Sequence, residues 1–246
     1  MLDFYIITIA LIIGLGSFTQ GLTGFGLALI SVPLLSLVID VKQAIPVAGI
    51  FGWLVTFPIV FKMREHIQWK IGLILFVGSL PGSYLGASLL KQLPSSVILS
   101  AMGIVLILAS IYSLISKATL FKYPSKIISL IVGFFSGALG ATVGEPGPPV
   151  IAYTSMLPWT NDQTKSTLVF FFMLQMIGAI LGFWSKGLLT NEVFLHVVHS
   201  IPLFIVGLII GLKAYHLLNK YNFNYHKIIY SLLIIIGFVL LIKGIK

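Results

Sequence analysis

Long apolar runs separated by short polar stretches dominate the pattern of this chain. Eight runs can be drawn, at about residues 3–39, 44–61, 69–90, 97–115, 127–157, 166–185, 193–217 and 227–243. One helical crossing of a bilayer needs about 20 residues, so most runs fit a single transmembrane helix. The first and fifth runs are too long for one simple crossing, and both contain glycine and proline. The pattern predicts an all-α integral membrane protein with about eight transmembrane segments, two of them broken.

The composition agrees with a membrane protein and removes several classes of function. The chain is 58% hydrophobic and 9% charged, whereas a soluble domain carries about 25% charged residues. We therefore expect one transmembrane domain over residues 1–246, multi-pass in the cytoplasmic membrane, with the lipid bilayer as a partner and scope for a homo-oligomer. The chain has no cysteine, which excludes disulfides and thiolate sites, and no cofactor or metal is predicted. The net charge of +9 lies in short loops, as membrane topology requires, so nucleic acid is not an expected partner.

The two broken runs carry the same motif at the same spacing. GLTGFGLALISVP and GALGATVGEPGPP share two glycines and a proline at a constant offset of 116 (137 − 21, 140 − 24, 149 − 33). Glycines four apart recur later in each half, at Gly82 and Gly86 and again at Gly207 and Gly211. We read this as an internal duplication, with a first repeat over 1–116, a linker over 117–123 and a second repeat over 124–246. Paired Gly/Pro-interrupted segments in two halves are a sequence indication of a transporter binding site.

The sequence leaves two topologies open. If each broken run crosses once, each half has four spans and the repeats are parallel. If each is a hairpin of two half-helices, each half has five elements and the repeats are inverted. In the hairpin topology the basic residues divide ten to five between the two sides, against nine to six for single crossings. The positive-inside rule therefore favours the hairpins slightly.

The glycine-rich motifs resemble those of a known family of membrane proteins. The duplicated plan, the two G-x-x-G…P motifs and the P-G-x-x-x-G motif at Pro81–Gly86 are similar to the sulfite exporter TauE/SafE family, also called the toluene sulfonate uptake permeases. The resemblance covers nearly the whole chain and implies a transporter of roughly eight spans. It implies small sulfur-containing anions as substrates, such as sulfite, sulfonates or sulfoacetate. The chain departs from a plain triple-glycine core, with Gly24-Phe25-Gly26 in the first motif and Gly144-Glu145-Pro146-Gly147 in the second.

A small anion in this protein must be held mostly by groups other than arginine or lysine. Arg64 is the only arginine and lies in a loop, and Lys165 lies at the head of a helix. Helix N-termini offer free N–H groups and a partial positive charge, so half-helices that begin near 24–26 and 144–147 are expected to meet at the centre of the membrane. The predicted substrate-binding residues are Gln20, Gly21, Thr23, Gly24 and Gly26 in the first motif and Ser136, Gly137, Gly140, Thr142, Gly144 and Gly147 in the second. Hydrogen bonding between helices is the alternative role for each hydroxyl and amide.

Glu145 is the single residue that the sequence indicates most strongly as functional. An acid inside a membrane protein is costly and by default functional. A charged Glu145 would repel an anion, whereas a protonated carboxyl could donate a hydrogen bond to it. The hypothesis is that Glu145 carries a proton coupled to anion movement, and the alternative is a structural carboxyl bonded to loop N–H groups. At the offset of 116, Leu29 occupies the matching position in the first repeat, so the site is predicted to be asymmetric in charge.

Three other functions compete with a secondary transporter. An anion channel and a non-transporting membrane assembly subunit fit the same composition. An intramembrane hydrolase that uses Ser136 with His199 is a remote alternative, because Phe134 replaces the first glycine of a G-x-S-G turn. Glu192, His196 and His199 share one helix face, but residues at a membrane edge are the better interpretation than a metal site. We therefore do not expect an enzyme.

Overall fold

The computed structural model describes residues 2–23, 26–115, 123–220 and 225–245. Within these ranges the chain forms ten α-helices and a one-turn 3-10 helix, with no strand. The helices are α1 Leu2–Thr23, α2 Leu27–Val38, α3 Val41–Met63, α4 Trp69–Gln92, α5 Ser95–Ile115, α6 Lys126–Val143, α7 Gly147–Ser155, α8 Asn161–Ser185, α9 Asn191–Lys220 and α10 Tyr225–Ile245, and the 3-10 turn is Arg64–His66. Most of the predicted linker, residues 117–122, lies outside the described ranges.

Seven of the described helices are long and apolar enough to cross a membrane, namely α1, α3, α4, α5, α6, α8 and α9. Two shorter apolar helices accompany them, α2 and the part of α10 over Ser231–Ile245. The prediction of an all-α polytopic membrane protein is confirmed. The chain is a multi-pass membrane protein, and both predicted breaks are present, between α1 and α2 and between α6 and α7.

The helices form two compact units, and the division falls within α3 after Gly52. The first unit comprises residues 1–52, 94–114 and 189–246, and the second comprises 53–93 and 115–188. Each unit therefore takes helices from both halves of the sequence. The first unit contains α1, α2 and α9, and the second contains α4, α6, α7 and α8.

The first broken run folds back on itself within the first unit. The side-chain oxygen of Gln20 in α1 accepts the backbone N–H of Leu27 at the start of α2, at 3.0 Å. One helical turn further along α2, Ser31 Oγ donates to the carbonyl of Ile12 in α1 at 3.4 Å. The sequence separation of the contacts grows away from the turn, so α1 and α2 are antiparallel. The run is a hairpin of a long helix and a short one, not a single crossing.

The second broken run forms a hairpin of the same kind within the second unit. At the turn, Pro146 lies against Gly140 of α6. Further along α7, the hydroxyl of Tyr153 accepts the backbone N–H of Ser125, and it lies within hydrogen-bond distance of Ser129 Oγ, both at 3.0 Å. The short helix α7, of nine residues, therefore returns to the N-terminal end of α6. The predicted half-helices begin where expected, but their partners α1 and α6 are full-length helices of 22 and 18 residues.

Helix packing in the second unit depends on very close approach of two backbones. A β-carbon added to Gly78 or Gly82 of α4 would overlap the carbonyl oxygens of Leu130 and Phe134 in α6, respectively. Small residues at such positions let two membrane helices approach until their backbones touch. The stripe of glycines on α4 therefore fixes the position of α6 against it.

The first unit contains an equivalent pair, α1 and α9. A β-carbon added to Gly207 of α9 would overlap the carbonyl of Gly14 in α1, and one added to Gly211 would overlap that of Phe18. The side chain of Ser17 also donates to the carbonyl of Phe204 at 2.9 Å. Direct contact between the two backbones again sets the distance between the helices.

The close contacts of the α1–α9 pair and of the α4–α6 pair fall at constant offsets along the sequence. The contacts of α1 map onto those of α6 at an offset of 116 (130 − 14, 134 − 18), and those of α9 map onto α4 at an offset of 129 (207 − 78, 211 − 82). The sequence pattern had paired Gly82 with Gly207, an offset of 125. The structure shifts that match by one helical turn, because the glycines of α4 repeat every four residues at 78, 82 and 86 and their spacing alone cannot select the pair.

Candidate functional site

The turn of the first hairpin is closed by a side chain from α1. Gly26 precedes α2 with a φ of 113°, in the left-handed region that favours glycine. It offers no side-chain cap, and Gln20 supplies one instead through its bond to Leu27. Gln20 is buried, with 7% of its surface exposed. Its side-chain oxygen therefore satisfies one of the unpaired N–H groups of a helix start, which is a structural role.

Two further predicted residues of this turn lie at the limit of the described structure. Gly24 lies outside the described residues, and Thr23 is described only in its backbone. Gly21 contacts α9, where an added β-carbon would lie 2.7 Å from the carbonyl oxygen of Leu208. Gly21 is therefore a packing residue of the α1–α9 pair. The prediction that the two breaks meet at the membrane centre stays a prediction.

The turn of the second hairpin is poor in hydrogen-bond donors. Gly144 ends α6 with a φ of 79°, again a conformation suited to glycine. Pro146 is the N-cap of α7, and prolines also follow Gly147 at positions 148 and 149. Because proline has no N–H, the start of α7 presents far fewer donors than an ordinary helix N-terminus. The predicted anion-binding helix start is therefore weak on this side.

Two buried oxygens of this hairpin lack hydrogen-bond partners in the described structure. Glu145 lies between α6 and α7 with 2% of its surface exposed, and its Oε1 atom has no partner. Ser136 is fully buried in α6, and its Oγ atom also has no partner. Buried polar atoms are nearly always paired in native proteins, so each exception requires an explanation. Both residues were predicted site residues, and the structure places them on one hairpin.

Leu29 does not occupy the structural counterpart of Glu145. Leu29 lies inside α2, which begins at Leu27, whereas Glu145 lies in the connection before α7. Helix α2 begins at Leu27 and α7 begins at Gly147, so the starts of the two short helices are 120 residues apart, one helical turn more than the offset of the glycine contacts. The offset of 116 therefore compares Glu145 with a residue inside α2 and not with the connection that precedes it.

The sequence reasoning missed a buried amide that lies at this turn. Gln175 of α8 is 2% exposed, and its Nε2 atom donates to Ser83 Oγ of α4 at 3.3 Å. A β-carbon added to Gly140 would lie 2.9 Å from the same Nε2 atom and 2.8 Å from Pro146. Gln175 therefore packs directly against the second motif. The sequence contains Gln175 as a single amide within the apolar run FFFMLQMIGAI. Polar residues inside membrane segments are few and are by default functional, so this position could have been chosen.

Thr142 and Gly137 of the second motif make contacts between α6 and α4. Thr142 Oγ1 lies 2.8 Å from the carbonyl of Ala138 and 3.1 Å from that of Gly86 across the helix pair. A β-carbon added to Gly137 would overlap the carbonyl oxygen of Ser79. These contacts bind α6 to α4, so Thr142 and Gly137 hold the hairpin in position. Among the predicted residues of this motif, Ser136 and Glu145 are the two side chains with an unpaired buried oxygen.

Comparison with known proteins agrees with this architecture. A family model described as sulfite exporter TauE/SafE matches residues 9–240. The chain belongs to the sulfite exporter TauE/SafE family. The family resemblance predicted from the motifs is confirmed.

A curated relative supports the same assignment for this TauE/SafE chain. The probable sulfite/organosulfonate exporter TauE of Cupriavidus necator is 22% identical over 209 residues, which span 81% of this chain and 80% of the relative. No solved structure matches the chain significantly. The TauE/SafE family consists of multi-pass membrane exporters, so the chain is a membrane transporter by family.

The polar residues on the histidine face of α9 have neighbours within the first unit of this TauE/SafE chain. Glu192 accepts a hydrogen bond from the side chain of Gln43, and His196 packs edge-on against Tyr5 at 5.9 Å between ring centroids. No group of three or more metal-ligating side chains occurs among the described residues. His199 Nδ1 lies 2.7 Å from the carbonyl oxygen of residue 195 in its own helix.

Proposed function

We propose that this chain is a secondary transporter of a small sulfur-containing anion, with sulfite or an organosulfonate as the substrate class. Its membership of the TauE/SafE family and the printed name of its Cupriavidus necator relative support that class. The observation that carries the coupling part of the proposal is Glu145, an acid that is 2% exposed within a broken transmembrane run and has an unpaired carboxyl oxygen.

In this proposal Glu145 carries the coupling proton. No ion pair joins Glu145 to a basic group in the described structure, and a buried charge without a partner is strongly disfavoured. A proton makes the carboxyl neutral and lets it donate a hydrogen bond to an anion, whereas the ionised form repels the anion. Proton loss and anion release are thereby linked at one residue.

Ser136 is the proposed substrate contact with the clearest support. Its hydroxyl is buried, unpaired and one helical turn from Gly140, on the same face of α6. Pro146 and the amide of Gln175 both pack against Gly140, so the turn places an amide on the same face of α6 as Ser136. For Gln20, Thr142, Gly21 and Gly137, the observed contacts favour a role in holding the hairpins.

The repeats are proposed to be inverted. If each short helix returns to the side from which its long helix started, only α3, α4 and α5 cross the membrane between the start of α1 and the start of α6. Three crossings would then put the two starts on opposite sides of the bilayer. The shared register of α1–α9 and α6–α4 supports the duplication, and the ten-to-five charge division supports this orientation.

Flux into proteoliposomes tests the proposed function. The purified protein is reconstituted with an imposed proton gradient, and uptake of sulfite and of a simple organosulfonate is compared with uptake of a carboxylate and of a neutral solute. Saturable, pH-dependent flux of the sulfur anions supports the transporter. Rapid, non-saturating conductance would indicate a channel instead, and the absence of flux for every solute would support a non-transporting subunit.

A further inference from the structure

The surface between α4 and α6 contains an open apolar groove of about 430 Å³. Gly78 of α4 has no side chain and lies against the carbonyl of Leu130 in α6, so the two helices touch at the floor of the groove. Val77 and Phe135 at its sides are each 55% exposed, so in a membrane the groove faces the lipid acyl chains. The lining residues include Val77, Gly78 and Pro81 of α4 and Leu130, Ile131 and Phe135 of α6.

A tyrosine of α4 lies at one end of this groove. Val77, Pro81 and Tyr84 are spaced at i, i+4 and i+7, which places them on one face of the helix. Tyr84 is 55% exposed and comes about one turn after Pro81, toward the C-terminal end of α4. The outward face of α4 therefore passes from the apolar groove to a phenol ring that carries a hydroxyl.

Lys186 brings a positive charge to the same tyrosine. The C-terminal parts of α4 and α8 lie together, because a β-carbon added to Gly182 of α8 would contact Ala87 of α4. Lys186 directly follows α8, and its Nζ atom donates to the Tyr84 hydroxyl at 3.0 Å and lies 4.2 Å from the centre of the ring. A hydrogen bond and a cation–π contact thus hold the ammonium group beside the groove.

The Lys186–Tyr84 pair has the chemistry of a phosphate site. Among the described residues Lys186 forms no ion pair, and its Nζ atom makes one hydrogen bond, to Tyr84. An ammonium group has three N–H donors, so others remain, and the Tyr84 hydroxyl accepts from Lys186 and can still donate its own hydrogen. Trp184, close to Lys186 in sequence, is 72% exposed, and tryptophans at helix ends lie at the level of the lipid headgroups.

We propose that the groove and the Lys186–Tyr84 pair together bind an anionic phospholipid. One acyl chain occupies the groove, and the phosphate accepts hydrogen bonds from the ammonium and phenol groups. An anionic headgroup neutralises the lysine, whereas a zwitterionic headgroup brings a cation of its own. A second copy of the chain is a poor source of the matching negative charge, because the chain has 15 basic and 6 acidic side chains.

Native mass spectrometry of the purified protein in detergent tests the site with two lipids of equal chains, dioleoyl phosphatidylglycerol and dioleoyl phosphatidylcholine. The wild type should bind phosphatidylglycerol more tightly. Lys186→Gln should reduce this preference about fivefold, the effect of one lysine near an anionic membrane surface, with little change for phosphatidylcholine. Lys186→Arg should keep the preference, and Tyr84→Phe, which retains the ring but loses the hydroxyl, should reduce it in part. No transported anion is needed, so the result is independent of the proposed function.

Lys70→Gln is the matched control. Lys70 is an exposed lysine near the start of α4, at the opposite end of the helix from Tyr84. Its replacement removes the same charge, and the preference for phosphatidylglycerol should equal that of the wild type. Equal losses in Lys70→Gln and Lys186→Gln would overturn the site, because they would indicate a general attraction of basic residues to anionic lipid. An undiminished preference in Lys186→Gln would overturn it as well.

Val77→Trp tests the groove separately from the charge. The larger side chain should fill the groove and weaken binding of both lipids several-fold, while the preference for phosphatidylglycerol remains. Since Val77 is exposed, the variant should keep the thermal stability of the wild type. Wild-type affinity for both lipids in this variant would show that no acyl chain lies in the groove. A protein dimer that Val77→Trp dissociates would assign the groove to a second copy and would also overturn the lipid site.

Discussion

Gln20 and Leu27 are joined across the first hairpin turn, where the Gln20 side-chain oxygen accepts the Leu27 backbone N–H at 3.0 Å. Gln20→Leu removes this cap and should lower the free energy of unfolding by about 1–2 kcal/mol. Gln20→Glu keeps an acceptor at the start of α2 and should be better tolerated. Hydrogen exchange at the Leu27 amide should rise in Gln20→Leu only. Unchanged exchange in that variant would show that the cap does not hold the turn.

Close contact between Gly137 and Ser79 in the second unit predicts that position 137 tolerates no side chain larger than that of glycine. A β-carbon added to Gly137 would lie 2.9 Å from the Ser79 Cα atom and would overlap its carbonyl oxygen. Gly137→Ala should therefore separate α6 from α4 and reduce the yield of monodisperse protein in detergent several-fold, because overpacking a tight interface costs about 1–3 kcal/mol or more. Size-exclusion chromatography measures this yield.

Gly52→Ala is the control for that prediction. Gly52 also lies in a helix, α3, but an added β-carbon would meet no atom within 4 Å. Its yield should match the wild type. Equal losses in the two variants would mean that glycine itself, rather than the α4–α6 contact, is being measured.

The Tyr153 hydroxyl predicts how α7 is anchored. It accepts the Ser125 N–H and lies 3.0 Å from Ser129 Oγ. Tyr153→Phe keeps the ring within its apolar cluster but removes these bonds, and it should lower the free energy of unfolding by about 1–2 kcal/mol. Tyr123→Phe, at a tyrosine that is 82% exposed, should leave stability unchanged. Thermal unfolding of both variants tests the anchor, and equal stability of the two would contradict it.

The helices and the two breaks could be predicted from the sequence because they depend on local composition. Apolar runs of membrane length, interrupted at Gly24–Gly26 and Gly144–Gly147, were sufficient for that. The folding back of each run was left open, since it depends on contacts between residues far from the turn, such as Tyr153 with Ser125. No local pattern distinguishes such a hairpin from a kinked crossing.

The candidate site was predictable in part. Glu145 and Ser136 stood out as polar residues in an apolar setting, and both are buried. Gln175 was missed because it comes from α8, outside the glycine motif, and only packing brings it against Gly140. Gln20 and Thr142 were chosen as polar residues next to the motifs, but their oxygen atoms are engaged in helix contacts.

The pH dependence of transport in Glu145→Gln tests most directly whether Glu145 couples a proton to anion movement. In the wild type, the protonated carboxyl permits anion binding and the ionised form opposes it, so the initial rate at limiting substrate should fall as pH rises. The fall should approach about tenfold per pH unit once the carboxyl is ionised. Glu65→Gln, which changes an exposed acid of the 3-10 turn, should keep this profile.

The decisive measurement is therefore the initial rate of organosulfonate flux against pH in proteoliposomes that contain the wild type, Glu145→Gln or Glu65→Gln. A sulfonate is the substrate of choice because it stays ionised across this pH range, whereas sulfite itself gains a proton near neutral pH. The account predicts that Glu145→Gln still binds the substrate but shows a flat profile. If the initial rate in Glu145→Gln falls with rising pH as steeply as the rate in the wild type, this result would contradict proton coupling at this residue.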